Sequence, residues 1–267
     1  MDIGCGVFLM IRTTAIASGS NGNCYFYESE GESFLVDAGI SCKALATRMK
    51  NLGLSLHRIS GLFVTHEHSD HVRGIEMLSK QFKIPLYITQ KTLEASNFRV
   101  NDRLVNVIDL DKSINLGNVT IHPFGKNHDA AEPCSYMLSS QGKNVSVITD
   151  IGEKCPNVIK HLSQSDLVFL ESNYDDIMLQ NGMYPPYLKQ RIAGAYGHFS
   201  NYQAGLLVLE HARPRLKNVF LSHLSANNNT PQLALNTFNS LIKERTDLCI
   251  RIMMTSRDAE TGILELE

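Results

Sequence analysis

The segment FVTHEHSDHVRG, residues 63–74, crowds several potential metal ligands into one short stretch. The four side chains are those of His66, His68, Asp70 and His71. They follow the apolar run ISGLFVT, residues 59–65, which predicts a buried strand. Three imidazoles that can each become cationic gain nothing from packing together, whereas a bound metal ion makes the crowding favourable. The segment therefore predicts a metal site at the end of a buried strand.

The order of these ligands favours two ions. Residues two apart on an extended chain face the same way, so His66 and His68 are expected to reach one ion. Ser69 fits a helix N-cap, which would turn Asp70 and His71 towards a neighbouring position in the first helical turn. Imidazole combined with carboxylate suits Zn, Mn or Fe better than Mg or Ca. We expect two divalent ions, Zn or Mn, with Fe as an alternative.

Further potential ligands follow later apolar runs. They are His128 in GKNHDAAEP, Asp150 in VSVITDIG and His223 in VFLSHLS. Loops at strand ends are where functional side chains are usually presented, and Asp150 is able to bridge two ions. A lone histidine is more often a packed or surface residue, and a lone aspartate is more often a helix cap. The cluster at residues 66–71 nevertheless favours the ligand role for all three.

Composition limits the classes of function. The chain has 267 residues, of which 43% are hydrophobic and 19% charged, as in an ordinary globular protein. Its net charge is -2, so any contact with nucleic acid must come from a local basic patch. The six cysteines form no CxxC pair, which predicts reduced thiols. No apolar run has the length of a membrane span, and we expect a cytoplasmic protein with no membrane partner.

The pattern along the chain predicts one domain over residues 1–267, with residues 1–9 as a disordered extension. Short strands and single helices alternate up to residue 103, with one helix expected over residues 71–82. Residues 104–149 favour strands, and the α/β alternation then returns, ending in a last strand over residues 248–254. Two sheets sandwiched between helical layers satisfy this order, which is an α+β class.

The motif THEHSDH, followed by His128, Asp150 and His223, resembles the metallo-β-lactamase fold from about residue 11 to residue 260. The resemblance implies a four-layer αββα sandwich with a dinuclear metal site at one edge of its sheets. It also implies that Asp37, in the segment LVDAG, supports the metal-binding loops instead of binding metal.

Finer motifs resemble one branch of that family. Glu171 in FLES and His198 in GHFS resemble the pair that tRNase Z-like phosphodiesterases place beside the metals. The segments ASGSNGNCYFYE, HDAAEP and YPPYLKQRIAGAYGHFSN are similar to the YycJ/WalJ branch, a bacterial group linked to exonuclease activity on DNA. The branch implies that one ion is held by His66, His68, His128 and Asp150. It implies that the other is held by Asp70, His71, Asp150 and His223.

This resemblance implies a metal-dependent phosphodiesterase, a DNA exonuclease that uses metal-bound hydroxide. Asp70 would orient the hydroxide and take up its proton, and His198, fixed by Glu171, would protonate the leaving alkoxide. The alternative for the pair is a buried polar link between two strand ends. Lys189 and Arg191 are candidates to grip a phosphate, or they lie on a solvated helix face. Ser20 and Asn23, in SGSNGN, are candidate substrate contacts, or this segment is a plain hairpin turn.

Two other classes of function stay open. One is a small-molecule hydrolase of the same fold, acting on a cyclic phosphodiester or a thioester. The other is a non-catalytic metal-binding protein, which the complete ligand set disfavours. The sequence shows no counterpart of the tRNase Z arm or of the extra cap domain of β-CASP nucleases, so DNA is preferred to RNA as the nucleic-acid partner. Affinity that falls steeply with salt would favour the nuclease.

Overall fold

The computed structural model describes residues 10–266, in which two mixed sheets lie face to face between outer layers of helices. The described strands are β1 (Ile11–Ala17), β2 (Cys24–Ser29), β3 (Glu32–Val36), β4 (Ile59–Phe63), β5 (Leu86–Thr89), β6 (Val105–Ile108), β7 (Ile114–Leu116), β8 (Val119–Gly125), β9 (Cys134–Ser140), β10 (Lys143–Ile148), β11 (Leu167–Glu171), β12 (Asn218–Ser222), β13 (Arg251–Met254) and β14 (Leu264–Leu266). The described α-helices are α1 (Cys42–Asn51), α2 (Ser69–Val72), α3 (Ile75–Phe82), α4 (Gln90–Ala95), α5 (Pro156–Gln164), α6 (Asp176–Asn181), α7 (Pro186–Ile192), α8 (Asn201–His211) and α9 (Pro231–Ile242).

The two sheets have seven strands each. The first has the order β14-β1-β2-β3-β4-β5-β6, and the second has the order β13-β12-β11-β10-β9-β8-β7. Strands β3 to β6 are parallel to one another, and so are β10 to β13. The carboxyl ends of parallel neighbours meet at one edge of a sheet, which brings their following loops together. The predicted αββα sandwich is confirmed.

Three apolar layers hold the sandwich together. The middle layer lies between the sheets and contains Phe63 of one sheet and Tyr136 and Phe169 of the other. Outside the first sheet, Leu45 of α1 packs against it, and outside the second, Phe238 of α9 does the same. Each large side chain that is fully buried contributes about 1.5–3 kcal/mol. The rigid double sheet therefore fixes the positions of the loops at its edge.

The helix expected over residues 71–82 is divided in two. Helix α2 ends at Val72 and α3 begins at Ile75, because the chain between them packs on the backbone of residues 38–40. The amide of Gly74 donates to the carbonyl of Ala38 at 2.7 Å, and a Cβ on Gly74 would lie 2.4 Å from the oxygen of Ile40. The expected N-cap is also displaced by one residue: His68 holds that position, and Ser69 is the first residue of α2 and makes no capping bond.

The ends of the chain differ from the expectation in one respect. The last strand expected from the sequence is β13, but the three-residue strand β14 follows it and pairs with β1. The extension expected at residues 1–9 lies outside the described residues. Cys24, Cys42 and Cys134 are buried and form no disulfide among the described residues. Among residues 10–266, no helix is both long and apolar enough to cross a membrane.

Candidate metal centre

The predicted ligands lie where strands of both sheets end at the same edge. Residues 64–71 follow β4 in the first sheet. In the second sheet His128 follows β8, Asp150 follows β10 and His223 follows β12. Asp150 and His223 have φ angles of 56° and 57°, a left-handed backbone that turns each side chain out of its strand direction. A non-glycine residue in this region costs about 1–3 kcal/mol, and such costs concentrate at functional sites.

The structure brings all seven predicted ligands together in overlapping groups. In each group the potential ligand atoms lie within 4.8 Å of one another. One group is His66, His68 and His128, and another is Asp70, His71 and His223. Asp150 lies between the two groups: its Oδ2 is 3.3 Å from His71 Nε2, and its Oδ1 is 3.3 Å from His223 Nδ1. The arrangement agrees with two neighbouring ion positions that share one carboxylate.

Three buried atoms of this cluster have no hydrogen-bond partner among the described residues. They are His128 Nε2, Asp150 Oδ2 and His223 Nε2. A buried polar atom without a partner costs about 1–3 kcal/mol, so three at one place indicate a ligand that they would bind. Imidazole nitrogen and carboxylate oxygen are the donor types that Zn²⁺ and Mn²⁺ accept. The residues therefore fit the divalent ions that the fold family implies.

Proton binding divides the cluster into two sides. Burial raises the pKa of Asp70, but the imidazoles of His71 and His223 outweigh burial and lower that pKa to about 2. Burial lowers the pKa of His223, but the carboxylates of Asp150, Asp70 and Glu171 raise it to about 10. Burial also lowers the pKa of His71, and Asp150 with other carboxylates raises it well above its usual value. This side therefore binds protons that a metal ion would displace.

The other side of the cluster is neutral. Burial and then the charge of His71 lower the pKa of His66 well below its usual value. Burial lowers the pKa of His128 to about 4, although the Asp150 carboxylate opposes the change. Neutral imidazoles are the form that binds metal. His66 and His128 are therefore ready to bind an ion without losing a proton near neutral pH.

Neighbouring groups fix the orientation of the histidine rings. Asp37, also in the left-handed region at φ 61°, accepts hydrogen bonds from the backbone and hydroxyl of Thr65, both at 2.8 Å. Its Oδ2 lies 2.7 Å from Nδ1 of His71, which leaves Nε2 of that ring for metal. Nδ1 of His128 donates to the carbonyl of Gly197 at 3.0 Å, with the same result. Such contacts orient metal-binding rings and raise their basicity.

Glu171 positions two rings at once. Its Oε1 accepts from Nδ1 of His198 at 2.8 Å and from Nδ1 of His223 at 2.9 Å. Its Oε2 accepts from the amides of Ile151 at 2.6 Å and Phe199 at 3.2 Å. Burial raises the pKa of Glu171, but His198 and the two hydrogen bonds lower it to about 2. The carboxylate is ionised and its oxygens are fully engaged, so it orients histidines and leaves metal binding to others.

The predicted substrate contacts occupy different environments. Nζ of Lys189 donates to the carbonyl of Gln180 at 2.7 Å, so it ties α7 to α6. Nε and Nη2 of Arg191 both lie 2.6 Å from Oδ2 of Asp129, the residue after His128. Arg191 is therefore at the rim of the site, but its charge is already paired. The structure brings Arg191 close to the predicted metal ligands and leaves Lys189 outside their contacts.

The two candidates in the segment SGSNGN also differ. Ser20 is exposed, and its hydroxyl accepts from Nη2 of Arg257 at 3.1 Å. Asn23 is fully buried, and its Nδ2 lies 3.2 Å from His71 Nε2 and 3.4 Å from Asp70 Oδ2. Asn23 thus contacts the metal cluster itself, and Ser20 contacts a cation beside it. The segment is more than a plain hairpin turn.

Several residues that hold the backbone beside the predicted ligands could not be identified from the sequence. Asn173 donates to the carbonyl of His223 at 2.8 Å, and Asn229 holds the carbonyls of Ser172 and Asn173 at 2.9 and 3.0 Å. Lys126 is buried, and its Nζ donates to the carbonyl of Thr149 at 2.7 Å, next to Asp150. The run NNNT at residues 227–230 is the one sequence signal for the asparagine contacts. A buried lysine cannot be distinguished from a surface lysine by the sequence pattern.

Known proteins resemble this chain in sequence and in fold. The model of the Beta-lactamase superfamily domain matches residues 32–223. The chain is 32% identical to Exodeoxyribonuclease YycJ of Bacillus anthracis, over 88% of this chain and 90% of the relative. It is 30% identical to Exodeoxyribonuclease WalJ of Streptococcus pneumoniae, over 96% of this chain and 98% of the relative. The crystal structure of the metallo-beta-lactamase fold protein YhfI from Bacillus subtilis superposes with a TM-score of 0.72 at 17% identity, covering 97% of this chain and 100% of that one. The chain therefore belongs to the beta-lactamase superfamily, as a hydrolase of the metallo-β-lactamase fold grouped by sequence with its YycJ and WalJ relatives.

Proposed function

We propose that the chain hydrolyses phosphodiester bonds of DNA as an exonuclease, with two divalent ions in the cluster around Asp150. The observation that carries the proposal is His198, held by Glu171 at 2.8 Å beside the predicted ligands. Its side chain is 24% exposed, whereas His66, His71 and His223 are buried, so a substrate is able to reach it. A proton donor beside a metal pair is needed where the leaving group is a poor one, such as the alkoxide of a nucleotide.

The residues divide the chemistry between them. When bound, the ions supply acidification of the attacking water and offset the charge of the phosphate. Asp70, ionised because its pKa is near 2, accepts a hydrogen bond from that water and so orients it. His198 carries a proton on the nitrogen that faces away from Glu171 and donates it to the departing oxygen. Glu171 stabilises the imidazolium that makes this donation possible.

The preference for DNA rests on two lines of support. The relatives from Bacillus anthracis and Streptococcus pneumoniae bear the name exodeoxyribonuclease, and their alignments with the chain span nearly their whole lengths. The phosphodiester chemistry is supported independently, because a proton donor such as His198 is not needed for a thioester, whose thiolate leaves without one. The choice between DNA and RNA is the part that an assay must decide.

The test is digestion of three labelled polymers of one sequence. Purified protein with Mn²⁺ or Zn²⁺ is incubated with end-labelled double-stranded DNA, single-stranded DNA and RNA. We expect the wild type to release label from DNA and Asp70→Asn, which removes the orienting carboxylate, to release none. The end from which label is lost gives the polarity. Wild-type protein that digests RNA alone, or that leaves all three polymers intact, would contradict the proposal.

A further inference from the structure

A cavity of about 210 Å³ lies beside the metal cluster, on the side of His223. Its walls come from Ser18, residues 224–226, residues 255–258 and the start of α9. Ser18 belongs to both sites, because its hydroxyl accepts a hydrogen bond from the amide of His223 at 2.8 Å. The cavity and the metal cluster therefore share a wall.

Arg257 supplies a cation to this cavity. Its Nη2 donates to the hydroxyl of Ser20 at 3.1 Å and to the carbonyl of Leu224 at 3.4 Å. Among residues 10–266 no carboxylate forms an ion pair with it, and this includes Asp258, which also lines the cavity. Both of these hydrogen bonds use Nη2, so the N–H groups of Nε and Nη1 are left for another acceptor. Arginine with free N–H groups binds phosphate through two parallel hydrogen bonds.

The loop that connects Arg257 to the metal ligands requires a glycine. A Cβ on Gly19 would lie 3.1 Å from Nη2 and 3.2 Å from Cβ of Arg257, so the missing side chain lets the arginine lie on the loop. The amide of Gly19 donates to Oδ1 of Asn23 at 3.0 Å, and Asn23 contacts Asp70 and His71 at its other end. One short loop therefore couples the cation in the cavity to the metal cluster.

We propose that this cavity binds a second phosphate group of the substrate, through Arg257, while the metal cluster acts on the first. The inference rests on the proposed function and adds to it the way in which the polymer is held. Helix α9 begins at the cavity wall, and its positive end adds to the attraction for an anion. The second phosphate is either the next one along the strand or a terminal phosphate. A chain of net charge -2 thereby gains local affinity for a polyanion.

The first test compares substrates that contain one phosphate or several. Arg257→Ala is assayed on single-stranded oligonucleotides and on bis(p-nitrophenyl) phosphate, which has a single phosphate. We expect kcat/KM for the oligonucleotide to fall at least about tenfold, and that for the small diester to fall far less. The slope of log K against log salt concentration for oligonucleotide binding should decrease in magnitude by about 0.7, the contribution of one phosphate contact on a single strand. Arg213 is an exposed arginine before the other end of β12, and Arg213→Ala removes the same charge. This control should change kcat/KM for either substrate by no more than about twofold.

A second variant pair avoids any structural role of Arg257. Ala226 is exposed and lines the cavity, so Ala226→Glu places a carboxylate there and Ala226→Gln places a neutral group of the same size. The kcat/KM of Ala226→Glu for the oligonucleotide should be at least about tenfold lower than that of Ala226→Gln, because a carboxylate repels phosphate. Repeating both assays with 5′-phosphate, 3′-phosphate and unphosphorylated ends shows whether a terminal or an internal phosphate is bound.

The outcomes separate this inference from the proposed function. If the wild type digests DNA, but Arg257→Ala and Ala226→Glu weaken cleavage of the oligonucleotide and the small diester equally, the second phosphate site is wrong and the nuclease assignment stands. If the wild type cleaves the small diester and no oligonucleotide, the nuclease assignment fails and the second phosphate site fails with it.

Discussion

At the scale of single residues, His198 is the group whose removal best separates the possible chemistries. His198→Ala should lower kcat on DNA by about 10²–10⁴-fold, because the leaving alkoxide then has no proton donor. The same variant should retain most of its activity on bis(p-nitrophenyl) phosphate, since p-nitrophenolate leaves without a proton. The measurement is kcat on both substrates, with His57→Ala, an exposed histidine that packs on Phe82, as the matched control. Equal losses on both substrates would instead indicate a structural link between strand ends.

The protonation of His71 and His223 makes a second prediction at this scale. Both rings have raised pKa values in the metal-free protein, that of His71 well above its usual value and that of His223 to about 10. Because metal binds the deprotonated ring, loading the site at pH 7.5 should release about two protons. Apparent affinity should therefore rise as pH increases towards 9. Calorimetry in buffers of different ionisation enthalpy counts the protons, and a release of none would contradict the charge assignment.

At the scale of elements, the site depends on loops that follow strands and pack backbone against backbone. A Cβ on Gly39 would lie 1.6 Å from the carbonyl oxygen of Asp70, so the segment after β3 and the start of α2 touch without a side chain between them. Gly39→Ala should destabilise the fold by about 3 kcal/mol or more and displace Asp70. Urea denaturation and metal content measure the two effects. Gly262→Ala, with no atom within 4 Å of its new Cβ, is the control and should change neither.

Most of the elements that position the site could be predicted from the sequence. Strand β4 and the predicted ligands after it stand out because an apolar run is followed by four potential ligands within six positions. The break between α2 and α3 could not be predicted, because it results from the contact of Gly74 with residues 38–40, which are distant in the sequence. The left-handed backbone at Asp150 and His223 likewise follows from tertiary contacts and leaves no local signature.

At the scale of the whole molecule, what escapes the sequence is contact between distant segments. Arg257 bonds Ser20 across 237 positions, and Arg191 bonds Asp129 across 62, so no spacing rule relates them. The sandwich as a whole could be predicted, because the motif around residues 66–71 resembles a known family and the alternation of strands and helices agrees with it. The cavity beside His223 is a property of the assembled edge and is seen only in three dimensions.

The metal ions should also stabilise the whole molecule. They bind the folded cluster and have no comparable site in the unfolded chain, so at a free ion concentration 100 times Kd they add about 2.7 kcal/mol. For a domain of this size that raises Tm by about 5–10 °C, and a chelator should remove the gain. Differential scanning calorimetry measures it. Asp150→Asn, which weakens the shared carboxylate, should show a smaller change, and an identical Tm with and without chelator would exclude a tightly bound metal.

The most direct test of two-metal phosphodiesterase chemistry is a titration of activity against bound metal. Metal-free protein at a concentration well above Kd receives Mn²⁺ in steps, and release of label from end-labelled single-stranded DNA is followed at each step. The seven predicted ligands, which include the shared Asp150, predict little activity up to one equivalent and full activity at two. Activity that is complete at one equivalent, or DNA that stays intact at every step, would contradict the two-ion DNA exonuclease.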